Sequence, residues 1–403
     1  MTQSFSKHRF FVTLCVIGAF AILSSTMSKN PVLNPFAESL GTPIAFMGVV
    51  AAASTLPGVL ISFPAGSLSD VLGRRKVLLI SSVVFATAPF CYVLVSAWWH
   101  LILVRFYHGF ATAIFVPVAR AAVADAYPAQ KGARMSTFTS ATIVGRGIAP
   151  FLGGFILSVT LWNYSLLYVV VGIAGVTAFV TTFFFLRTSH AVATPSSTPS
   201  LTPHPSTRGQ QEEVRDWKAV LKHRGILVAS LTEAAARYVF GALEFFFIGY
   251  LNTVAQLDPA LIGMIMGAQF LLIPFFSPVL GRVSDRIGRS IPILVGLLLS
   301  GVVILTVPLA TEFLPLLLIS LTYGLGFVMV ISSTPALVTD LTQQGAYGAA
   351  MGLLATIMDV GQMLGPIITG VILASAGYSG SFWSLGVILL GVAFIFWAYQ
   401  KFS

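Results

Sequence analysis

The chain has 403 residues, of which 56% are hydrophobic and only 9% are charged, and its formal net charge is +9. So little charge is atypical of a soluble globular protein and indicates that lipid is the main solvent. The cations lie mostly in short loops between long apolar runs rather than in one basic surface, so no nucleic-acid partner is expected.

Apolar runs of about 20 residues recur along the whole chain, the length an α-helix needs to cross a bilayer. The first run, from Phe10, has no small-residue cleavage site after it, so we expect it to remain as a span. The pattern predicts an all-α membrane protein with twelve transmembrane helices. The expected spans are approximately 10–36, 44–69, 76–96, 99–123, 133–160, 163–187, 223–251, 259–282, 290–310, 313–339, 346–375 and 380–400.

A segment rich in Ser, Thr and Pro separates the sixth run from the seventh, and it lacks the apolar residues that would order it. We therefore divide the chain into a first half at 1–188, a flexible cytoplasmic linker at 189–222 and a second half at 223–403. The stretch from Trp217 to Arg224 fits either a short helix on the membrane surface or simple linker.

The cations predict the orientation of the spans. Lys and Arg residues outside the apolar runs fall in the loops of one side, together with both termini and the linker, and the loops of the other side hold none. Because cationic loops stay in the cytoplasm, both termini are expected there. The expected location is the cytoplasmic (inner) membrane, with multiple passes.

A polar loop between the second and third runs recurs between the eighth and ninth, and we call these two loops the elbows. The matched positions, at one constant offset, are Gly66, Ser69, Asp70, Gly73 and Arg74 with Gly281, Ser284, Asp285, Gly288 and Arg289. Such a match indicates a duplicated unit. An even number of spans in each half gives both halves the same orientation, which predicts a pseudo-two-fold axis normal to the membrane.

Further motifs support a family resemblance. Arg105 is followed four residues later by Gly109, and the fifth run reads Gly145-x-x-x-Ala149-Pro150-x-x-Gly153-Gly154. With the elbows, these motifs resemble those of the major facilitator superfamily over nearly the full chain, and those of its drug:proton antiporters in particular. The resemblance implies the major facilitator fold, in which two pseudo-symmetric six-helix halves work by alternating access.

The elbow residues can join helix ends. Gly73 permits a tight turn, Asp70 can accept hydrogen bonds from the amino-terminal end of another helix, and Arg74 or Arg75 can pair with Asp125. The resemblance implies that this cluster latches the halves while the site faces outward; the alternative is that the cations only orient the hairpin. The expected latch residues are Asp70, Gly73, Arg74, Arg75, Asp125, Arg134, Asp285, Arg289 and Asp340.

Small residues recur at every fourth position of the fifth run and again in the eleventh, a pattern that lets helices pack closely. Each stripe contains a proline that is expected to bend its helix. We expect the stripes to lie between the two halves, although ordinary packing would also explain the glycines. The residues concerned are Gly145, Ala149, Pro150, Gly153, Gly361, Gly365 and Pro366.

Charged side chains inside apolar runs are costly and so mark candidate sites. The expected substrate-binding residues are Arg146, Asp359, Gln362, His108, Glu233 and Arg237. The expected proton-coupling residues are Glu233, Asp359, Arg105 and Glu244. Glu233, Arg237 and Glu244 share one helical stripe, and Glu233 with Arg237 can instead be a structural pair.

Two charges differ between the repeats, and we expect substrate selection to depend on them. Arg146 aligns with Gln362, and Asp359 aligns with Ile143, so each charge is unique to its half. His108 can instead be a hydrogen-bonded interior histidine. Lys29 and Glu38 lie near the outer ends of their runs and are expected to be solvated.

The expected function is secondary transport by alternating access, most simply efflux of a small amphipathic organic compound driven by the proton gradient. Proton-coupled uptake of a small solute, anionic in view of the intramembrane arginines, is an alternative, and a non-transporting receptor or scaffold is another. No enzymatic motif or metal-ligand cluster is recognisable, and no cofactor is expected. The expected partners are a small-molecule substrate and the bilayer, with the protein as a monomer.

Overall fold

The computed structural model describes residues 2–188, 220, 222–342 and 346–402. Most of the linker predicted at 189–222, with most of the expected surface helix, lies outside the described residues, and so does the side chain of the predicted latch residue Asp70. The described elements are helices and short connections with no β-strand among them, which confirms the predicted all-α class.

Eleven of the described helices are long and apolar enough to cross a membrane. The first half contains α1 (Thr2–Met27), α2 (Leu33–Ser39), α3 (Ile44–Ala52), α4 (Leu56–Leu72), α5 (Arg74–Val93), α6 (Trp98–Ala126), α7 (Lys131–Val159) and α8 (Tyr164–Thr188). The second half contains α9 (Arg224–Thr253), α10 (Pro259–Ile287), α11 (Ser290–Leu305), α12 (Phe313–Leu341) and α13 (Tyr347–Phe402).

Three predicted spans do not each form one separate helix. The second is divided into α3 and α4, and the last two are continuous as α13 except at Gly377, where φ is 66° and ψ is −173°. Only glycine adopts that conformation readily, so it separates an eleventh from a twelfth segment. With the division at Gly377, the described helices supply the twelve predicted spans.

The first span is shorter than predicted. Its helix α1 ends at Met27, and a turn leads from there to α2. Pro31 has no amide hydrogen to donate and disfavours helical geometry in the preceding residue, so the helix cannot continue through it. The turn carries Lys29 and Asn30, which become important at the site.

The two ends of the molecule differ. We call the end that carries Gly73 and Gly288 of the elbows the elbow end, and the opposite end the far end. A buried apolar cluster at the far end includes Phe36 and Met47 from the first half and Phe246 from the second. The second span shows the same difference between its two parts. Helix α3, its far-end part, packs along α13, whereas α4, its elbow-end part, barely contacts α13. The halves therefore meet at the far end and diverge towards the elbow end.

Close packing of small residues forms much of the contact between the halves. Gly154 of α7 lies against Gly263 of α10, with only 2.9 Å between a Cβ built on Gly154 and the Gly263 Cα atom. A Cβ built on Gly263 would overlap the carbonyl oxygen of Pro150. Nearby, Ser158 Oγ donates a hydrogen bond of 3.0 Å to Asp258 Oδ2. Any side chain added here would force the halves apart.

The small residues of the predicted stripes pack elsewhere, so the expectation that they lie between the halves is wrong for these glycines and for Ala149. A Cβ on Gly145 would overlap the carbonyl oxygen of Ala19 in α1, and a Cβ on Gly361 would overlap that of Ala234 in α9. Ala149, between Gly145 and Gly153, is completely buried. Each stripe thus packs its helix against the first span of its own half.

The other glycines of the two stripes follow the same arrangement, whereas the carbonyl groups of Pro150 and Pro366 face Gly263 and Gly48 of the opposite half, as predicted for the stripes. Gly153 lies against Pro31 and Asn30 of the first half, and Gly365 lies against the Tyr238 carbonyl group of α9. Residues four apart share one helical face, and the neighbouring face of α7 meets α10. The small residues of that face include Gly147 and Gly154.

Candidate functional site

A cavity of about 220 Å³ lies between the halves near the middle of the spans. Its walls come from α1, α4, α6 and α7 of the first half and from α9 and α13 of the second. The charged residues that line it, with one histidine and one amide, are Lys29, Arg105, Arg146, Glu244, Asp359, His108 and Gln362. Most of the expected site residues are therefore brought together in one place.

Glu233 and Arg237 do not line this cavity. The Glu233 side chain is completely buried within the second half, and Arg237 Nη2 lies 3.4 Å from its Oε1 atom. Arg237 also lies over the Phe327 ring, 5.4 Å from its centroid. Eleven residues, or about 16 Å of helix, separate Glu233 from Glu244, so the common stripe does not bring them to one depth.

Lys29 belongs to the cavity, so the expectation that it is solvated at the outer surface is wrong. Its Nζ atom lies 3.5 Å from Glu244 Oε1, which also accepts a hydrogen bond of 3.2 Å from Asn30 Nδ2. Because α1 already ends at Met27, the turn that follows it places these two residues at the far end of the cavity. Glu38, by contrast, is exposed as expected.

The pairing of Lys29 could have been suspected from the sequence. Loops of the far side otherwise hold no cation, so a lone lysine there breaks the charge pattern unless a carboxylate neutralises it. Its partner, Glu244, is 215 residues away in the chain and belongs to the other half. Sequence spacing alone could not identify that partner.

Arg105 supports the break in the second span. Its Nη2 atom donates to the Ala51 carbonyl oxygen at 3.0 Å and to Ser54 Oγ at 2.6 Å, and Nε lies 3.4 Å from the Val50 carbonyl oxygen. The last carbonyl groups of a helix lack helical partners, and Arg105 satisfies those of α3. The side chain is nearly fully buried, so its charge both faces the cavity and holds the wall in place.

His108 lies in a buried aromatic cluster beside the cavity. Its Nδ1 atom is 3.3 Å from Tyr92 Oη and 3.5 Å from Ser28 Oγ. Tyr92 stacks on Tyr168 with 4.3 Å between the ring centroids. These contacts fit the alternative of a hydrogen-bonded interior histidine, while its position in the wall keeps it within reach of a bound molecule.

Arg146 and Asp359 contribute opposite charges from opposite halves. No hydrogen bond or ion pair joins either of them to another described side chain. Arg146 precedes Pro150 by four residues, and Gln362 precedes Pro366 by four. Because proline donates no hydrogen bond to the carbonyl group four residues earlier, both repeats lose one helical bond at the cavity.

The elbows form matching ion pairs inside each half. Arg74 Nε donates to Asp125 Oδ2 at 3.1 Å, and Arg289 Nε donates to Asp340 Oδ2 at 3.1 Å. Arg74 also contacts Ser69, and Arg289 also contacts Asp285. Gly73 and Gly288 between the helices have φ of 89° and 91°, which only glycine adopts easily.

Two expected latch residues have different surroundings. Arg75 Nε has no hydrogen-bond partner, and Asp125 pairs with Arg74 instead. Arg134 lies over the rings of Phe11 and Tyr127, at 5.0 and 4.7 Å from their centroids. Arg134 thus packs on aromatic rings at the elbow end.

Comparisons with known proteins agree with this arrangement. The family model for the Major Facilitator Superfamily matches residues 10–257 and 231–401. Quinolone resistance protein NorA of Staphylococcus aureus (strain COL) is 24% identical over 372 residues, covering 91% of this chain and 90% of NorA. An uncharacterized MFS-type transporter of Methanocaldococcus jannaschii is 23% identical, covering 84% of this chain and 85% of that protein.

Solved structures have the same fold. A bacterial homolog of the human lysosomal transporter Spinster, in an inward-facing and unoccupied conformation, superposes with a TM-score of 0.82 at 16% identity, covering 98% of this chain and 97% of that one. The nucleoside transporter NupG superposes with a TM-score of 0.74 at 16% identity, covering 98% and 99%. The chain is thus a multi-pass membrane transporter that belongs to the major facilitator superfamily.

Proposed function

We propose that the protein exports a small amphipathic organic compound in exchange for protons, by alternating access across the cytoplasmic membrane with its elbow end inside. The observation that carries this proposal is the central cavity, where unpaired charges from both halves face one space. A substrate bound there would contact both halves, so its binding can favour one arrangement of the halves over another.

The contacts between the halves suit a rocking motion. At the far end Gly154 and Gly263 bring the backbones of α7 and α10 into contact with no side chain between them. Opening that end would separate Lys29 from Glu244, and closing the elbow end would bring the two elbows together. The latch role of the elbow residues, Asp70 among them, belongs to this second arrangement.

Asp359 is the residue we assign to proton exchange. It lines the cavity and has no ion-pair partner among the described side chains, whereas Glu233 is paired with Arg237 away from the cavity. Whether this carboxylate holds a proton changes the charge that the substrate meets in the same space, so the movements of proton and substrate are linked. Glu244 becomes a second candidate once Lys29 moves away.

The relatives support export, and one observation supports uptake. NorA is named for quinolone resistance, which export would explain. The cavity, however, has three cations, Lys29, Arg105 and Arg146, against two carboxylates, Glu244 and Asp359. That excess suits an anion that enters with protons. A receptor or scaffold would move neither protons nor solute.

The direction of proton movement decides among these functions. Proteoliposomes with a trapped pH-sensitive dye would receive a panel that includes a quinolone such as norfloxacin and small organic acids. An antiporter moves protons against the substrate, a symporter moves them with it, and a scaffold moves none. We expect antiport, its loss in Asp359→Asn, and its retention in Glu312→Gln, which neutralises an exposed carboxylate outside the cavity. Substrate and protons moving together would contradict the proposal.

A further inference from the structure

One carboxylate in the cavity is surrounded by several cations. Glu244 Oε1 is 3.5 Å from Lys29 Nζ and accepts a hydrogen bond from Asn30, and the carboxylate lies within electrostatic reach of Arg146 and Arg105. A carboxylate from the second half thus lies among groups of the first half, the position that an anionic ligand of those groups would occupy.

The cations around Glu244 have donors to spare. Arg105 already donates to Ala51 and Ser54, but Lys29 has three N–H donors and, among the described residues, only Glu244 as an ion-pair partner. Arg146 has five donors and no hydrogen-bond partner among the described side chains. Glu244 alone therefore does not use all the hydrogen-bond donors of Lys29 and Arg146.

The cavity walls add an apolar side to this polar set. Ile22, Val116 and Phe240 line the same space as Lys29 and Arg146. A smaller pocket of about 20 Å³ adjoins Lys29, Asn30 and Glu244, enough for roughly one water molecule. A molecule with one carboxylate and one small ring or alkyl group would satisfy both kinds of wall.

We propose that Lys29 and Arg146 bind the carboxylate of a small organic acid, which takes the place of Glu244. This inference rests on the proposed transport through the cavity rather than on its direction, and it specifies the substrate class as amphipathic monocarboxylates. Lys29 and Glu244 belong to different halves, so the exchange also removes a contact that holds the far end closed. Binding of the substrate is thereby linked to opening of that end.

A purely structural pair makes the opposite prediction for Glu244. If Lys29 and Glu244 only neutralise each other, a ligand has no reason to prefer a carboxylate in the unaltered protein. If Glu244 is an internal competitor, its removal frees Lys29 and Arg146 for the ligand. Because loss of a nearby negative charge favours any anion, a variant that keeps the charge of Glu244 but withdraws it from Lys29 separates the two.

The test is calorimetric titration of the full-length protein in detergent at neutral pH with three probes of similar shape: benzoate, benzamide and benzylamine. Benzoate is expected to bind at least about tenfold more tightly than benzamide, as loss of a charge-assisted hydrogen bond predicts. Benzylamine is expected to bind more weakly than both. Equal binding of benzoate and benzamide, or no binding of benzoate, overturns the inference.

Variants with matched controls test the exchange. Lys29→Gln and Arg146→Gln are expected to weaken benzoate binding by about tenfold or more, whereas Glu244→Gln is expected to strengthen it by about tenfold. Exposed residues outside the cavity provide controls of equal charge change, namely Lys222→Gln, Arg224→Gln and Glu312→Gln. The controls should bind benzoate as the unaltered protein does.

A second variant at Glu244 keeps the inference testable if Glu244→Gln does not fold. Glu244→Asp keeps the charge but shortens the side chain, which withdraws the competitor from Lys29, so benzoate should again bind more tightly. Unchanged or weaker binding in the Glu244 variants that fold overturns the inference. Because titration requires no membrane or gradient, its failure leaves proton-driven export untouched, and absence of proton movement in vesicles would leave the anion site standing.

Discussion

Adding one methyl group between the halves should open the far end. In Gly263→Ala the new Cβ would overlap the Pro150 carbonyl oxygen and lie 3.0 Å from the Gly154 Cα atom. Backbone atoms cannot move aside as a flexible side chain can, so the contact is relieved only if the halves separate. Overpacking of this kind costs about 1–3 kcal/mol. A value of about 2 kcal/mol would favour the opened arrangement by about 30-fold.

The opening can be measured by pulsed electron paramagnetic resonance. Spin labels would be attached at Leu161→Cys and Leu309→Cys, which are 87% and 81% exposed at the far end, one in each half. The two native cysteines, Cys15 and Cys91, would first be replaced by serine. Gly263→Ala is expected to increase the population with the longer distance between the labels.

Two glycines serve as controls for this experiment. Gly145→Ala would overlap the Ala19 carbonyl oxygen inside the first half, so it should lower the melting temperature without favouring the longer distance. Gly391→Ala adds a Cβ with no atom within 4 Å inside a helix, so it should neither lower the melting temperature nor favour the longer distance. An unchanged distance distribution in Gly263→Ala, or the same increase in Gly145→Ala, would refute the assigned interface.

Three further substitutions test other parts of the structure. Arg237→Gln leaves the fully buried Glu233 without its partner and should cost about 3–5 kcal/mol of stability, which the double change with Glu233→Gln should largely restore in thermal unfolding; equal losses in both would contradict a structural pair. Gly73→Ala forces alanine into a positive φ and should cost about 1–2 kcal/mol, so an unaltered melting temperature would argue against the elbow geometry. Asp70→Asn should abolish transport in vesicles while the protein still folds, and full activity would disprove the latch.

The spans and the elbows could be predicted because both depend on local chemistry. The length of an apolar run sets whether a helix can cross a bilayer, and a tight turn with φ near 90° favours glycine, as at Gly73 and Gly288. The break at Gly377 follows the same rule. These features need no knowledge of which helix lies beside which.

The partners of individual residues could not be predicted in the same way. The glycine stripe beginning at Gly145 was recognisable, but the helix that it faces was not. Successive residues of a helix are rotated by about 100°, so neighbouring positions of α7 face either α1 or α10. Lys29 pairs with a carboxylate in the other half only because Pro31 ends the preceding helix early. Glu233 and Glu244 share a stripe, yet their depths in the second half give them different surroundings.

Locking the far end tests alternating access most directly. Ser158→Cys and Asp258→Cys replace two side chains whose oxygen atoms are 3.0 Å apart across the halves, in protein lacking Cys15 and Cys91. A short bifunctional thiol reagent would join them through reducible bonds, and proton movement would be followed in proteoliposomes with a probe that the uncrosslinked protein transports. We expect the crosslink to abolish that movement and reduction to restore it. Transport at an undiminished rate by the crosslinked protein would contradict the account.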